Sequence, residues 1–243
     1  MLENINPESI LFLDIETVPM VGHYDELTDR MKPLWDKKAE MLIKNERSPA
    51  DEIKSAEEIF NRAGIYAEFG KIVCISTGII RQGSLRIKSF FGENEKEILS
   101  EFVVMLNKAS GKSFQFLCAH NGKEFDYPYL IRRMLINDIP VPSILDLAGK
   151  KPWEVNHLDT MELWKFGDYK SYTSLELLAA VFNIPTPKND IQGSDVARVY
   201  WEDSDLPRIV TYCQKDVLTI VNLFLKFQHQ PIIQENMITY VIN

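Results

Sequence analysis

The chain has 243 residues, 45% of them hydrophobic, and a formal net charge of −8. That length suits one α/β domain or two small ones and is ample for a core, while the acidic balance argues against a protein that coats nucleic acid by bulk electrostatics. No apolar stretch approaches about 18 residues and no basic-then-apolar leader opens the chain, so neither a membrane span nor a signal peptide is expected.

Ile10-Leu11-Phe12-Leu13 is a continuous apolar run that reads as a strand buried on both faces. Asp14 and Glu16 stand at its end. Residues two apart on a strand point to the same side, so the two carboxylates project together. Held that close they repel, and burial worsens the repulsion. A hard divalent cation such as Mg2+ bridging them removes it. Taken alone, the stretch reads equally well as a strand ending in two solvated acids; ligands from elsewhere in the chain decide between the two.

A charged, helical-looking insertion runs from about Asp25 to Phe69. Ser48, Pro49 and Asp51 make a helix start, and Ile53, Ala56, Ile59, Phe60 and Ala63 follow at helical spacing. It reads as packed decoration, with a lid or partner surface as alternatives. Lys71 to Ile80 and Leu85 to Phe91 are strands joined by the turn Arg81–Ser84, forming an antiparallel meander with the first strand. Asn94 caps a helix whose inner face is Ile98, Leu99, Phe102, Val103 and Leu106. Phe114 to Ala119 is a further short strand.

In His120-Asn121-Gly122-Lys123-Glu124-Phe125-Asp126 a strand ends, a polar turn follows and a helix begins near Asp126. Asp126 thus stands at a helix N-terminus beyond a strand end, where ligands bind in parallel α/β sheets; it also serves as an ordinary cap. Lys123, Arg132 and Arg133 read as phosphate contacts or as solvated charges, and Tyr127 and Tyr129 as base-stacking or core residues. Pro140-Val141-Pro142 breaks the chain, and a loop with Lys150, Lys151 and Trp153 leads to an edge strand at His157–Thr160. Thr173-x-x-Glu176 is a capping box, Lys188 to Ser194 is a polar turn, and Asp205-Leu206-Pro207 opens the last long helix. There Cys213, Val217, Ile220, Val221 and Phe224 form the core stripe. Tyr212 and Asp216, four apart, lie one above the other beside it.

Cys74, Cys118 and Cys213 are far apart, form no C-x-x-C pair and sit among apolar residues, as reduced core thiols of a cytoplasmic protein do. The four histidines show no zinc-ligand spacing.

Asp14-Ile15-Glu16-Thr17, then Asn121 with Phe125-Asp126, then Tyr212-x-x-x-Asp216 resemble, in order, the three exonuclease motifs of the DEDD superfamily. The tyrosine is that of the DEDDy branch, since the histidine branch has His where this chain has Thr211. The likeness is strongest to the 3′–5′ proofreading domain of family B DNA polymerases, and covers the chain apart from the 25–69 insertion. It implies a ribonuclease-H-like α/β fold: one domain over residues 1–243, a mixed five-stranded sheet flanked by helices, with the helical insertion after the first strand. It implies two divalent ions, Mg2+ or Mn2+, held by Asp14, Glu16, Asp126 and Asp216, with Asp14 bridging them. Tyr212 then orients the attacking water, being a poor base with a pKa near 10. It further implies that Thr17, Asn121 and Phe125 meet the substrate strand, a single-stranded or frayed 3′ end, with DNA ahead of RNA and nucleoside 5′-monophosphate as product. The same chemistry on RNA, and a non-catalytic nucleic-acid-binding module, are the competing readings.

Overall fold

The structure is a computed structural model that describes residues 4–45, 55–168, 172–185 and 191–241. Its centre is β1, Ile10–Pro19. One neighbour is antiparallel β2, Gly70–Arg81, followed by antiparallel β3, Ser84–Phe91. On the other side β4, Phe116–Ala119, runs parallel to β1, and the short β5, Leu158–Asp159, runs parallel to β4. A sixth strand, β6, Ile238–Val241, joins β3 in parallel. The order among the described residues is β5-β4-β1-β2-β3-β6, one strand more than the five expected. The additional strand rests on the buried Asn222, which accepts from the Ile233 N–H at 2.8 Å and so turns the chain back to the β3 edge. Its own residues are mostly exposed, so it carries no hydrophobic pattern to announce it.

Side-chain alternation on β1 divides the core. Leu11, Leu13 and Ile15 pack with α2, Glu95–Ala109, and α3, Asp126–Ile136. Ile10 and Phe12 face the opposite way, onto α7, Leu206–Phe227. Phe12 meets Phe224 edge-on at 5.6 Å. Glycine lets α7 approach: a Cβ on Gly78 of β2 would stand 2.7 Å from Val217, so this helix seats against bare backbone there. The caps of α2 and α7 are Asn94 and Asp205, as their sequence signals indicate.

The insertion has its own small core, with Trp35 of α1, Lys32–Asn45, meeting Phe60 and Phe69 edge-on. Ser48, Pro49, Asp51 and Ile53 lie outside the described residues. The following Ala56, Ile59, Phe60 and Ala63 do not continue an α-helix: Phe60–Ile65 is 3-10 helical. It packs so tightly on β1 that a Cβ on Gly64 would meet the Val18 backbone at 2.8 Å. The capping box at Thr173 is displaced by one residue. Ser174 caps α5, Leu175–Val181, through the Leu177 N–H at 3.2 Å, while the Thr173 carbonyl is bound to His120. Two unforeseen short helices, α4 at Thr160–Lys165 and α6 at Val196–Trp201, fill the connections. No helix among the described residues is long and apolar enough to cross a membrane.

Arg133 is neither solvated nor free for phosphate. It is 6% exposed and forms a two-point pair with Glu95, with Nε on Oε1 at 2.8 Å and Nη2 on Oε2 at 2.5 Å. Glu95 also accepts from the Ile72 N–H and from Asn137. This buried junction ties β2, α2 and α3 together. Arg133→Met leaves the Glu95 carboxylate buried without its partner, so urea unfolding is expected to show a loss of about 3–5 kcal/mol. A loss below about 1 kcal/mol would show the pair to be dispensable.

Candidate active site

The alternation that sends Ile10 and Phe12 toward α7 continues to Asp14 and Glu16. Both acids lie within the strand rather than at its end. The parallel pairing with β4, however, runs only through Ile10–Phe12, so one side of the β1 backbone opens just before Asp14. Into that opening comes the first turn of α3. Asp126 is 3% exposed, and the Ile15 backbone N–H binds its carboxylate. A register shift in the β1–β2 pairing between Glu16 and Thr17 re-aims the strand beside the two acids.

Helix α7 completes the group. Cys213 faces the sheet with Sγ 3.4 Å from both the main-chain oxygen and Oδ2 of Asp14. Asp14, Glu16 and Cys213 each place a donor atom within 4.8 Å of the others. One residue back and three residues on, Tyr212 and Asp216 share a hydrogen bond from phenol to carboxylate.

The electrostatics of the cluster are dominated by burial and by the mutual repulsion of its acids. Burial, followed by the charges of Asp216 and Asp126, pushes the Asp14 carboxyl well above its ordinary range. Burial, then Asp14 and Asp216, does the same to Glu16. Asp126 is pushed up to about 8 by burial and the nearby Asp159 charge, against the opposing effect of its backbone hydrogen bonds. Asp216 is raised to about 6 by burial and by the Glu176 charge, against the opposing Tyr212 hydrogen bond and Lys215 charge. The Tyr212 phenol is raised by burial and by Asp216, Glu16 and Asp14. Glu16 is only 7% exposed, and among the described residues no hydrogen-bond donor reaches its carboxylate. Asp14 and Glu16 offer hard oxygens of the kind divalent cations take, and with Cys213 they stand close enough to share one ion; Asp126 and Asp216 fall outside that close group and are joined to it by charge coupling.

The remaining sequence candidates divide. Thr17 hydrogen-bonds Tyr129, and Phe125 packs at 5.4 Å on the same ring. Tyr129 donates to the Gly64 carbonyl at 2.7 Å and, like Tyr127, is fully buried. Both tyrosines are therefore core residues and not stacking platforms. Asn121 lines a cavity of about 660 Å³ between α3 and α4, which none of the four acids lines. Its backbone is left-handed, φ 61°, and its Oδ1 is buried without a hydrogen-bond partner among the described residues. Lys123 is held by Glu162 at 2.6 Å.

Two participants escaped the sequence. Asp159, 2% exposed, accepts from the backbone N–H groups of Asn121, Lys123, Met161 and Glu162, and so fixes the turn that leads to Asp126. The cap pattern Asp159-x-x-Glu162 was its available signal. Cys213 reads as core stripe, and only the helix's placement brings its sulfur to Asp14.

The sequence matches, over residues 65–237, the profile of a family described as a predicted 3′–5′ exonuclease related to the exonuclease domain of PolB. Asp126, Tyr212 and Asp216 fall inside that span, and β1 with its two acids falls before it. No curated protein matches the chain. Among solved structures, the chain is similar to the family B DNA polymerase from the hyperthermophilic archaeon Pyrobaculum calidifontis. The TM-score is 0.57 at 15% identity, over 91% of this chain and 24% of that one. The likeness is one of fold, ribonuclease-H-like with a mixed sheet between helices, and the chain spans about a quarter of that polymerase.

Proposed function

We propose that this chain, which belongs to the family of predicted 3′–5′ exonucleases related to the exonuclease domain of PolB, hydrolyses the 3′-terminal phosphodiester of single-stranded or frayed DNA. The products are nucleoside 5′-monophosphates. The observation that carries this reading is the close pair of buried acids Asp14 and Glu16 on β1, charge-coupled to Asp216 and Asp126, with no hydrogen bond to the Glu16 carboxylate from any described residue.

In this reading residues 1–243 form one domain with the 25–69 insertion, and the four carboxylates are the ligands of two divalent ions, Mg2+ or Mn2+. Bound there, the ions supply Lewis-acid stabilisation of the phosphoryl oxygens and lower the pKa of a water nucleophile. Asp14, like Glu16, is charge-coupled to both Asp216 and Asp126, and Asp14 would be the ligand common to the two ions in this reading. Tyr212 keeps its proton, since a phenol has an ordinary pKa near 10 and burial raises it further. It therefore orients the attacking water by hydrogen bonding and does not serve as the base. Thr17 and Phe125 flank the acids and position the terminal nucleotide; Asn121 contacts the strand further along. Three free, buried cysteines suit a reducing compartment, the cytoplasm.

Tyr212→Phe is expected to slow cleavage by about 10–10²-fold through loss of orientation, with the metal concentration for half-maximal rate unchanged. An unchanged rate, or a matching loss of metal affinity, would contradict that role. The activity itself is tested with matched 5′-labelled DNA and RNA single strands in Mg2+ or Mn2+. Shortening from the 3′ end, faster on DNA, is the expected result. Faster shortening of RNA moves the substrate to the competing exoribonuclease reading, and binding without cleavage under either metal leaves the non-catalytic module.

A further inference from the structure

We infer that Cys213 gives this centre a second, soft-metal state, in which Zn2+ or Cd2+ is held by the Cys213 sulfur together with Asp14 and Glu16 and excludes the hard ions that support cleavage. The inference rests on the reading of Asp14 and Glu16 as metal ligands and adds a donor to it. A thiolate is a soft ligand that Zn2+ and Cd2+ accept and Mg2+ does not. The spacing suits such an ion. With zinc–sulfur near 2.3 Å, zinc–oxygen near 2.0–2.2 Å and a tetrahedral angle, the sulfur and oxygen donors stand roughly 3.5 Å apart. Cys213 Sγ is 3.4 Å from Asp14 Oδ2, and the Glu16 oxygen lies within 4.8 Å of both donors.

Two features of the cluster favour a ligand over a closed hydrogen-bond arrangement. The Cys213 sulfur faces two oxygens of Asp14 at the same 3.4 Å and also shares a hydrogen bond with Cys74, so its single S–H proton cannot serve all three neighbours. Glu16, 7% exposed, receives no hydrogen bond from any described residue. When the ion enters, the sulfur–metal bond forms as the S–H bond breaks, the electron pair stays on sulfur and the proton leaves to solvent. There is no change of oxidation state. Asp14 and Glu16 would then be held, with Cys213, on one soft ion that leaves its fourth position to water, and would no longer be free for two hard ions.

Co2+ is the probe, because its bond to a thiolate gives a sulfur-to-cobalt charge-transfer band in the near ultraviolet whether or not a strand is cleaved. Titrating the full chain with Co2+ is expected to give this band in the wild type and in Cys118→Ser, whose thiol lies on β4 away from the cluster, and to lose it in Cys213→Ser. In parallel, Zn2+ inhibition of Mg2+-supported cleavage is expected to need about tenfold more zinc or beyond in Cys213→Ser. Should that variant fail to fold, X-ray absorption of the zinc-loaded wild type decides: one sulfur in the first shell is expected. A first shell of oxygen and nitrogen only, or a charge-transfer band that survives in Cys213→Ser, overturns the inference. A band without cleavage strikes the nuclease reading and sustains this one; cleavage without the band strikes this one alone.

Discussion

Asp14→Ala is expected to lower metal-dependent strand shortening by roughly 10³-fold or more, and to make the metal-free protein no less stable than the wild type. The two effects have one cause. Burial is the larger burden on Asp14, and the charges of Asp216 and Asp126, which Glu16 also feels, add to it. Its carboxylate is therefore a liability until a cation arrives, and the cation site is lost when it is removed. Losing a metal worth several kcal/mol of transition-state stabilisation, at about 1.4 kcal/mol per tenfold, gives the stated factor. Thermal unfolding in chelator checks the second half. A variant that cleaves within tenfold of the wild type would remove Asp14 from the centre. One that unfolds well below the wild type would show Asp14 to be a structural residue instead.

The second large effect is a pH-dependent stabilisation by metal. Carboxyl groups whose folded-state pKa is raised bind protons more tightly in the folded chain than in the unfolded one. Stability then falls as pH rises from the unfolded value near 3.9 through the folded value. Asp216 reaches about 6 and Asp126 about 8, and Asp14 and Glu16 shift in the same direction. The metal-free protein is thus expected to lose stability between about pH 4 and pH 8, by a few kcal/mol at most, since the four groups titrate together. Divalent ions bind the deprotonated cluster, so they compete with protons at pH 5 and meet little competition at pH 8. At about 2–4 °C per kcal/mol for a chain of this size, saturating Mn2+ is expected to raise the Tm by about 5 °C or more at pH 8 and by about 1 °C or less at pH 5. Equal shifts at both pH values would mean that the ion binds elsewhere.

The parts of this site that the sequence announces are those governed by local periodicity. Asp14 and Glu16 follow a period of two and Tyr212 and Asp216 a spacing of four, and neither needs tertiary information. The convergence of the acids is different. It depends on β4 stopping at its pairing with Phe12, which lets Asp126 reach the Ile15 amide, and on Gly78 admitting Val217 so that α7 lies close to β1. Arg133 illustrates the opposite failure: a cation on a helix reads as solvated, and only the folding together of α2 and α3 brings Glu95 to neutralise it. Tyr127 and Tyr129 likewise read as amphipathic, and their burial depends on the hydroxyl partners Leu158 and Gly64, which lie far away in sequence. β6 follows a polar turn set by Asn222, and its exposed residues give no strand pattern of their own.

The most direct measurement is anomalous diffraction from crystals soaked in Mn2+ and a nucleoside 5′-monophosphate. Two manganese peaks within about 4 Å of each other, with Asp14 touching both and Glu16, Asp126 and Asp216 completing them, are the predicted result. Manganese absent from this cluster at saturating concentration, or bound only at surface acids, would contradict the assignment of these four carboxylates to one metal centre.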